Sequence, residues 1–114
     1  MRQMLDHASA VLRITEGKSD REITGDFVLW NAVLHLLQNV GEAASRLEPD
    51  ERARRAEVPW RDAIDMRNFL AHGYDTVKPE VVLRTLKDDI PPLIQTLEIL
   101  IVQVGLERAK RESP

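Results

Sequence analysis

The chain has 114 residues, 43% of them hydrophobic and 31% charged, with 16 basic against 19 acidic side chains and a formal net charge of -3. That length fits one ordinary domain around a single core, and the charge balance excludes both a disordered polyelectrolyte and a basic protein that coats nucleic acid through its overall field. Cysteine is absent, which excludes a disulfide framework, thiolate metal sites and a cysteine nucleophile, and fits a reducing cytoplasm.

The N-terminal stretch MRQMLDHASAVL lacks a long apolar run and a small-residue cleavage site, so no signal peptide is expected. No apolar stretch approaches ~18 residues, so no membrane span is expected either. Met1, Met4/Leu5, Ala8 and Val11/Leu12 recur at three- and four-residue steps and predict an amphipathic helix to about residue 16. Gly17 to Asp20 break it, and Ser19 with Glu22 three residues on reads as a capping box that opens a short helical turn. A long second stripe follows through Leu29, Ala32/Val33, Leu36/Leu37, Val40, Ala43/Ala44 and Leu47, closed by Pro49. Gly41 sits inside that helix, where glycine costs roughly 1 kcal/mol relative to alanine. Close approach by another helix and a tolerated defect explain it equally well.

Residues 48–58 are polar and charged and predict a surface connection. Pro59 is suited to the first position of a third helix, because the N–H it lacks would have no intrahelical partner there. Trp60, Ala63/Ile64, Arg67 and Leu70/Ala71 share its face, and Gly73 ends it. Pro79 opens a fourth helix through Val82/Leu83, Leu86 and Ile90. Asp89 is suited to cap a fifth, with Pro91 and Pro92 in its first turn and a stripe of Leu93/Ile94, Leu97, Leu100/Ile101 and Val104. The expected architecture is an all-α, up-down bundle of four to five helices over residues 1–106. Residues 107–114, ERAKRESP, are expected to form a frayed tail.

The unusual segment is Met66-Arg67-Asn68-Phe69-Leu70-Ala71-His72-Gly73-Tyr74. Arg67 occupies an apolar-stripe position, where a charge is costly unless partnered. Asn68 and His72 are four apart and stack on one side of the helix. Arg67 and His72 are five apart, about 140° around a regular helix, and converge only if the helix ends or unwinds at Gly73. Histidine titrates near neutrality and can take a proton from a ribose 2′-hydroxyl or give one to a leaving oxygen. Arginine can hold a phosphate by two hydrogen bonds and stabilise charge in the transition state, while asparagine orients either group. Spacing alone favours a plainer arrangement, in which Arg67 reaches the surface, His72 caps the helix and Tyr74 covers the core edge.

Arg67-Asn68-Phe69-Leu70-Ala71-His72-Gly73-Tyr74 resembles the ribonuclease signature of the HEPN superfamily, an arginine followed by four residues and a histidine. The tyrosine two residues further on is similar to its HepT-like branch. Gly41-Glu42-Ala43, Val58-Pro59-Trp60 and Asp89-Ile90-Pro91 extend the resemblance over roughly residues 4–104. It implies an all-α homodimer that brings two motifs to a shared cleft, and the ribonuclease toxin of a prokaryotic toxin–antitoxin pair, hence a cytoplasmic protein. Arg67 and His72 would be catalytic and Asn68 supporting. Cleavage of RNA, whether transfer RNA or messenger, would be metal-independent, without a cofactor, through 2′-hydroxyl attack that leaves a cyclic phosphate. The antitoxin would be a minimal nucleotidyltransferase that adds AMP to Tyr74. The alternative of a different class is a catalytically inactive helical dimer that serves as the binding subunit of a nucleotidyltransferase.

Glu42 shares the polar side of the second helix with His35 and Gln38; it either supports Arg67 from behind or serves a dimer contact or solvent. Arg52, Arg54, Arg55 and Arg61 form a basic rim beside the motif helix, but the interleaved Glu51, Glu57 and Asp62 fit a solvated salt-bridge surface as well. His7, His35 and His72 have no metal-like mutual spacing, so no metal site is expected. Trp30 and Trp60 are expected in core or dimer contacts.

Overall fold

The computed structural model of the chain describes residues 1–73 and 76–112. Helical periodicity becomes six helices: α1 (Arg2–Thr15), α2 (Asp20–Gly25), α3 (Phe27–Ser45), α4 (Pro49–Arg54), α5 (Trp60–Ala71) and α6 (Pro79–Glu112). Among the described residues there is no strand. The expected all-α bundle is what the chain forms, with α2 and α4 as short connectors between long helices.

The central element is α3, which packs against α1 on one side and α5 on another, while α6 packs on α1. The side chains that meet between them are apolar. Met4, Ala8 and Val11 of α1, Val33, Leu34 and Leu37 of α3, Leu70 of α5, and Val82, Leu97 and Leu100 of α6 are all but sealed from solvent. Burying each large aliphatic side chain contributes about 1.5–3 kcal/mol, so these contacts dominate what holds the bundle. Polar ties sit at the ends. Trp60 Nε1 donates to the Arg55 carbonyl oxygen at 2.8 Å and fixes the entry to α5, and Lys87 Nζ pairs with Asp20 at 2.8 Å.

The capping box is as the spacing predicts. The Glu22 N–H donates to Ser19 Oγ and the Ser19 N–H to Glu22 Oε1, both at 3.1 Å. The Ser19 backbone and side-chain hydrogen bonds hold the Glu22 carboxyl below its usual range. A carboxyl lowered in the folded state adds stability at neutral pH that disappears as pH falls through the lowered value. Ser19→Ala is expected to cost about 1 kcal/mol, read as an earlier urea midpoint with an unchanged slope.

The C-terminal third departs from expectation. Asp89 does not cap a fifth helix; instead α6 runs unbroken from Pro79, with a π turn at Thr85–Asp89 in which the Ile90 N–H bonds the Thr85 carbonyl. Pro91 and Pro92 explain the departure. In a regular helix each ring would clash with the carbonyl four residues back, and neither can donate. The wider turn just before them relieves both problems without ending the helix. Pro59 caps α5 rather than opening it, and α6 continues to Glu112, so helix covers positions 107–112 of the stretch expected to fray. By length and composition α6 could cross a membrane, although no unbroken apolar run marks it; Ile90, Leu93, Leu97 and Leu100 belong to the core.

Candidate active site

Gly41 sets the geometry. A Cβ added there would overlap the Ala63 carbonyl oxygen and Arg67 Cβ, and would lie 3.2 Å from Arg67 Cα. The backbones of α3 and α5 therefore touch at the turn that carries Arg67, and of the two explanations for this glycine the close approach is the one realised. Its neighbour Glu42 then faces Arg67 across the seam. Glu42 Oε2 lies 3.3 Å from an Arg67 terminal nitrogen, with the arginine side chain 29% exposed and the glutamate 40%. The charge in the apolar stripe is thus partnered. Arg67 Nε is buried and has no hydrogen-bond partner among the described residues, so one carboxylate satisfies only part of the guanidinium fork.

Asn68 and His72 point elsewhere. Helix α5 stays regular to Ala71, and His72 is its C-cap in a right-handed conformation; both residues are exposed. Gly73 turns the chain with φ +123, a conformation that L side chains rarely adopt, and its N–H reaches the Leu70 carbonyl at 3.3 Å. The break expected at Gly73 is real, but it comes after His72 and does not swing the imidazole back. Among the described residues no hydrogen bond or ion pair joins Arg67 to Asn68 or His72. The structure brings together Arg67 and Glu42; it leaves Asn68 and His72 on the outer side of the same helix end. Tyr74 lies outside the described residues.

Two of the four arginines of the basic rim are paired. Arg54 pairs with Glu51 at 2.6 Å, and Arg55 with Glu107 at 3.0 Å. The hydrogen bond from Arg55 holds the Glu107 carboxyl below its usual range. Of the interleaved acids Glu51 takes part, with Arg54 and Arg55, while the remaining partner, Glu107, comes from α6. His35 turns to Asn39, 3.2 Å away, and not to Glu42. Among the described residues no three His, Asp or Glu side chains are grouped so as to hold a metal ion.

A groove of about 410 Å³ escaped the reading of the sequence. Leu37, Val40, Ala63 and Met66 form part of its floor, and Asp88 and Asp89 stand on its rim. The spacing predicts Asp89 as a helix cap; in the continuous α6 it lines the groove with Asp88 instead.

Comparison with known proteins decides the family. The model of the family described as "Ribonuclease HepT-like" matches residues 4–100. The chain belongs to the HepT-like ribonuclease family. Two similar proteins carry the name "Putative RNase": one from Methanocaldococcus jannaschii, 27% identical over 85% of this chain and 89% of its own, and one from Caldanaerobacter subterraneus subsp. tengcongensis, 30% identical over 88% and 90%. A "Probable ribonuclease HepT" of Thermococcus cleftensis is 39% identical over 54% of this chain and 56% of its own. No solved structure matches the chain. As a HepT-like protein the chain is a ribonuclease, RNA is its substrate class, and Arg67, Asn68 and His72 fall within the matched residues.

Proposed function

We propose that this HepT-like protein is the metal-independent endoribonuclease toxin of a prokaryotic toxin–antitoxin pair, acting in the cytoplasm as a homodimer. The observation that carries the reading is Arg67, a cation whose side chain is 29% exposed and held by a single carboxylate, five residues before an exposed histidine. The exposed part of the guanidinium would grip a backbone phosphate and the charge that builds on it during reaction. His72 would take the proton from the neighbouring ribose 2′-hydroxyl. The 2′-oxygen then bonds phosphorus, the bond to the 5′-oxygen breaks, and the proton is delivered to that leaving oxygen, giving a cyclic phosphate and a 5′-hydroxyl end. Asn68, one turn before His72, would orient the substrate. Glu42 would steady Arg67 from α3.

Arg67 and His72 diverge on one helix, so a shared cleft with a second copy would let both act on one strand. The antitoxin would be a minimal nucleotidyltransferase. AMP transferred to the Tyr74 hydroxyl, with pyrophosphate leaving ATP, would put bulk and negative charge two residues from His72 and repel the RNA backbone from Arg67.

The test is incubation of the purified chain with total transfer RNA, and separately with messenger RNA, in EDTA, followed by mapping of product ends. Cyclic phosphates at defined positions are expected. Intact RNA from a chain whose intact mass shows no AMP would sink the nuclease reading and leave the inactive binding subunit. Co-expression with a nucleotidyltransferase should add whole AMP units to the wild type and none to Tyr74→Phe.

A further inference from the structure

Helix α5 keeps one outer face that the bundle does not cover. Asp62, Asp65, Phe69 and His72 follow at steps of three, four and three residues, so they fall within about 80° of arc at ~3.6 residues per turn. All four are exposed, and Phe69 leaves 42% of its surface to solvent. A groove of about 500 Å³ opens beside them, between α5 and the start of α6. Met66, Phe69 and Val81 supply its apolar lining, Asp62 and Asp65 border it from α5, and Lys78 stands just before α6. None of Asp62, Asp65 and Lys78 has an ion-pair partner among the described residues.

We infer that this face is a nucleobase site, where a guanine stacks on Phe69 and Asp65 reads its edge. The inference rests on the nuclease of the proposed function and names the base beside the bond it cuts. Phosphate is a poor occupant, because Asp62 and Asp65 repel it. A base is a good one: an exposed aromatic ring stacks any base, and a carboxylate, which can only accept, then selects the edge that donates. Guanine sets two adjacent donors, N1–H and the N2 amino group, against one carboxylate. Adenine and cytosine pair an amino donor with a ring-nitrogen acceptor, and uracil flanks its single N–H with two carbonyls, so each brings a lone pair against Asp65. Asp65 is the reader because it precedes Phe69 by four residues and lies between Phe69 and His72 around the helix; Asp62 is about one turn further off. Lys78 is placed for a phosphate further along the strand. His72 follows Phe69 by three residues, a spacing that sets side chains about 5–6 Å apart. The ribose of the seated guanosine therefore meets the imidazole and supplies the 2′-hydroxyl, so the cut falls on its 3′ side. Because the strip includes His72, it lies in the shared cleft and not apart from it.

Fluorescence anisotropy of the full chain with labelled 2′-fluoro RNA hexanucleotides tests the site without cutting, since a 2′-fluorine cannot attack phosphorus. UUGUUU should bind at least about fivefold tighter than UUUUUU. Phe69→Ala should weaken UUGUUU by about 5–150-fold, the usual worth of one stacked base, with an unchanged helical circular dichroism spectrum. Phe69→Trp should keep the affinity. Asp65→Asn, which replaces one acceptor oxygen by a donor, should bring the two oligonucleotides to equal affinity, a change that a merely structural role of Asp65 would not produce. On unmodified RNA the products should end in guanosine cyclic phosphate. Equal binding of both hexanucleotides by the wild type, a guanine preference that survives Asp65→Asn, or cuts that fall after other bases would each overturn the site. Wild-type affinity in Phe69→Ala would overturn it too, and a changed sedimentation of that variant would assign the ring to a contact between copies instead. Guanine-selective binding by a chain that cuts no RNA would count against the nuclease and not against this site.

Discussion

Replacing His72 by alanine is expected to lower RNA cleavage by about 10²–10⁴-fold, the usual contribution of a general acid–base group. The melting temperature should stay where it is, because the imidazole is exposed at the end of α5 and makes no hydrogen bond or ion pair among the described residues. Cyclic-phosphate formation in EDTA, timed against the wild type prepared identically, reads the effect. Arg67→Lys provides the companion measurement: it keeps the charge opposite Glu42 but loses the planar fork, so activity should fall while the fold survives. Cleavage by His72→Ala at the wild-type rate, once a contaminating nuclease is excluded, would remove His72 from the chemistry.

The second large effect concerns Gly41. Alanine is normally the better helix former by about 1 kcal/mol, so Gly41→Ala would stabilise an open helix. Here the added methyl meets the Ala63 carbonyl oxygen and Arg67 Cβ. The carbonyl is backbone and cannot rotate aside, so α3 and α5 must separate. Overpacking of this kind costs about 1–3 kcal/mol, enough to reverse the propensity gain. The expected result is an earlier urea midpoint together with weaker RNA cleavage, since the shift displaces the residue that is proposed to grip phosphate. A later midpoint in Gly41→Ala would mean that the two backbones do not touch in solution.

What could be read from the sequence follows from the range of the forces involved. The helices of the bundle and the Ser19–Glu22 box are set by contacts three and four residues apart, so periodicity alone exposes them. Arg67 was visible as a charge out of place, because its stripe is local. Its partner was not fixed, because Glu42 stands on another helix and only the Gly41 contact brings it opposite. The same holds for Gly41, whose two explanations differ only in what lies across from it. In α6 the local signal misled: a proline pair after an aspartate reads as a helix start, yet a π turn satisfies the same constraints from within a continuing helix.

The π turn at Thr85–Asp89 has a consequence for how the length of this segment can vary. A π turn holds one more residue than the α turn it replaces, so it stores slack. Removing one residue from Thr85–Asp89 would tighten it to an α turn and leave Leu93, Leu97 and Leu100 facing the core. Removing one further along would instead rotate the rest of the helix by about 100°. The slack is not free to be drawn on, because the tighter turn would return the Pro91 ring to its clash with the carbonyl four residues back. Length and proline are therefore tied: a chain of this fold one residue shorter here should carry a residue other than proline at the position of Pro91.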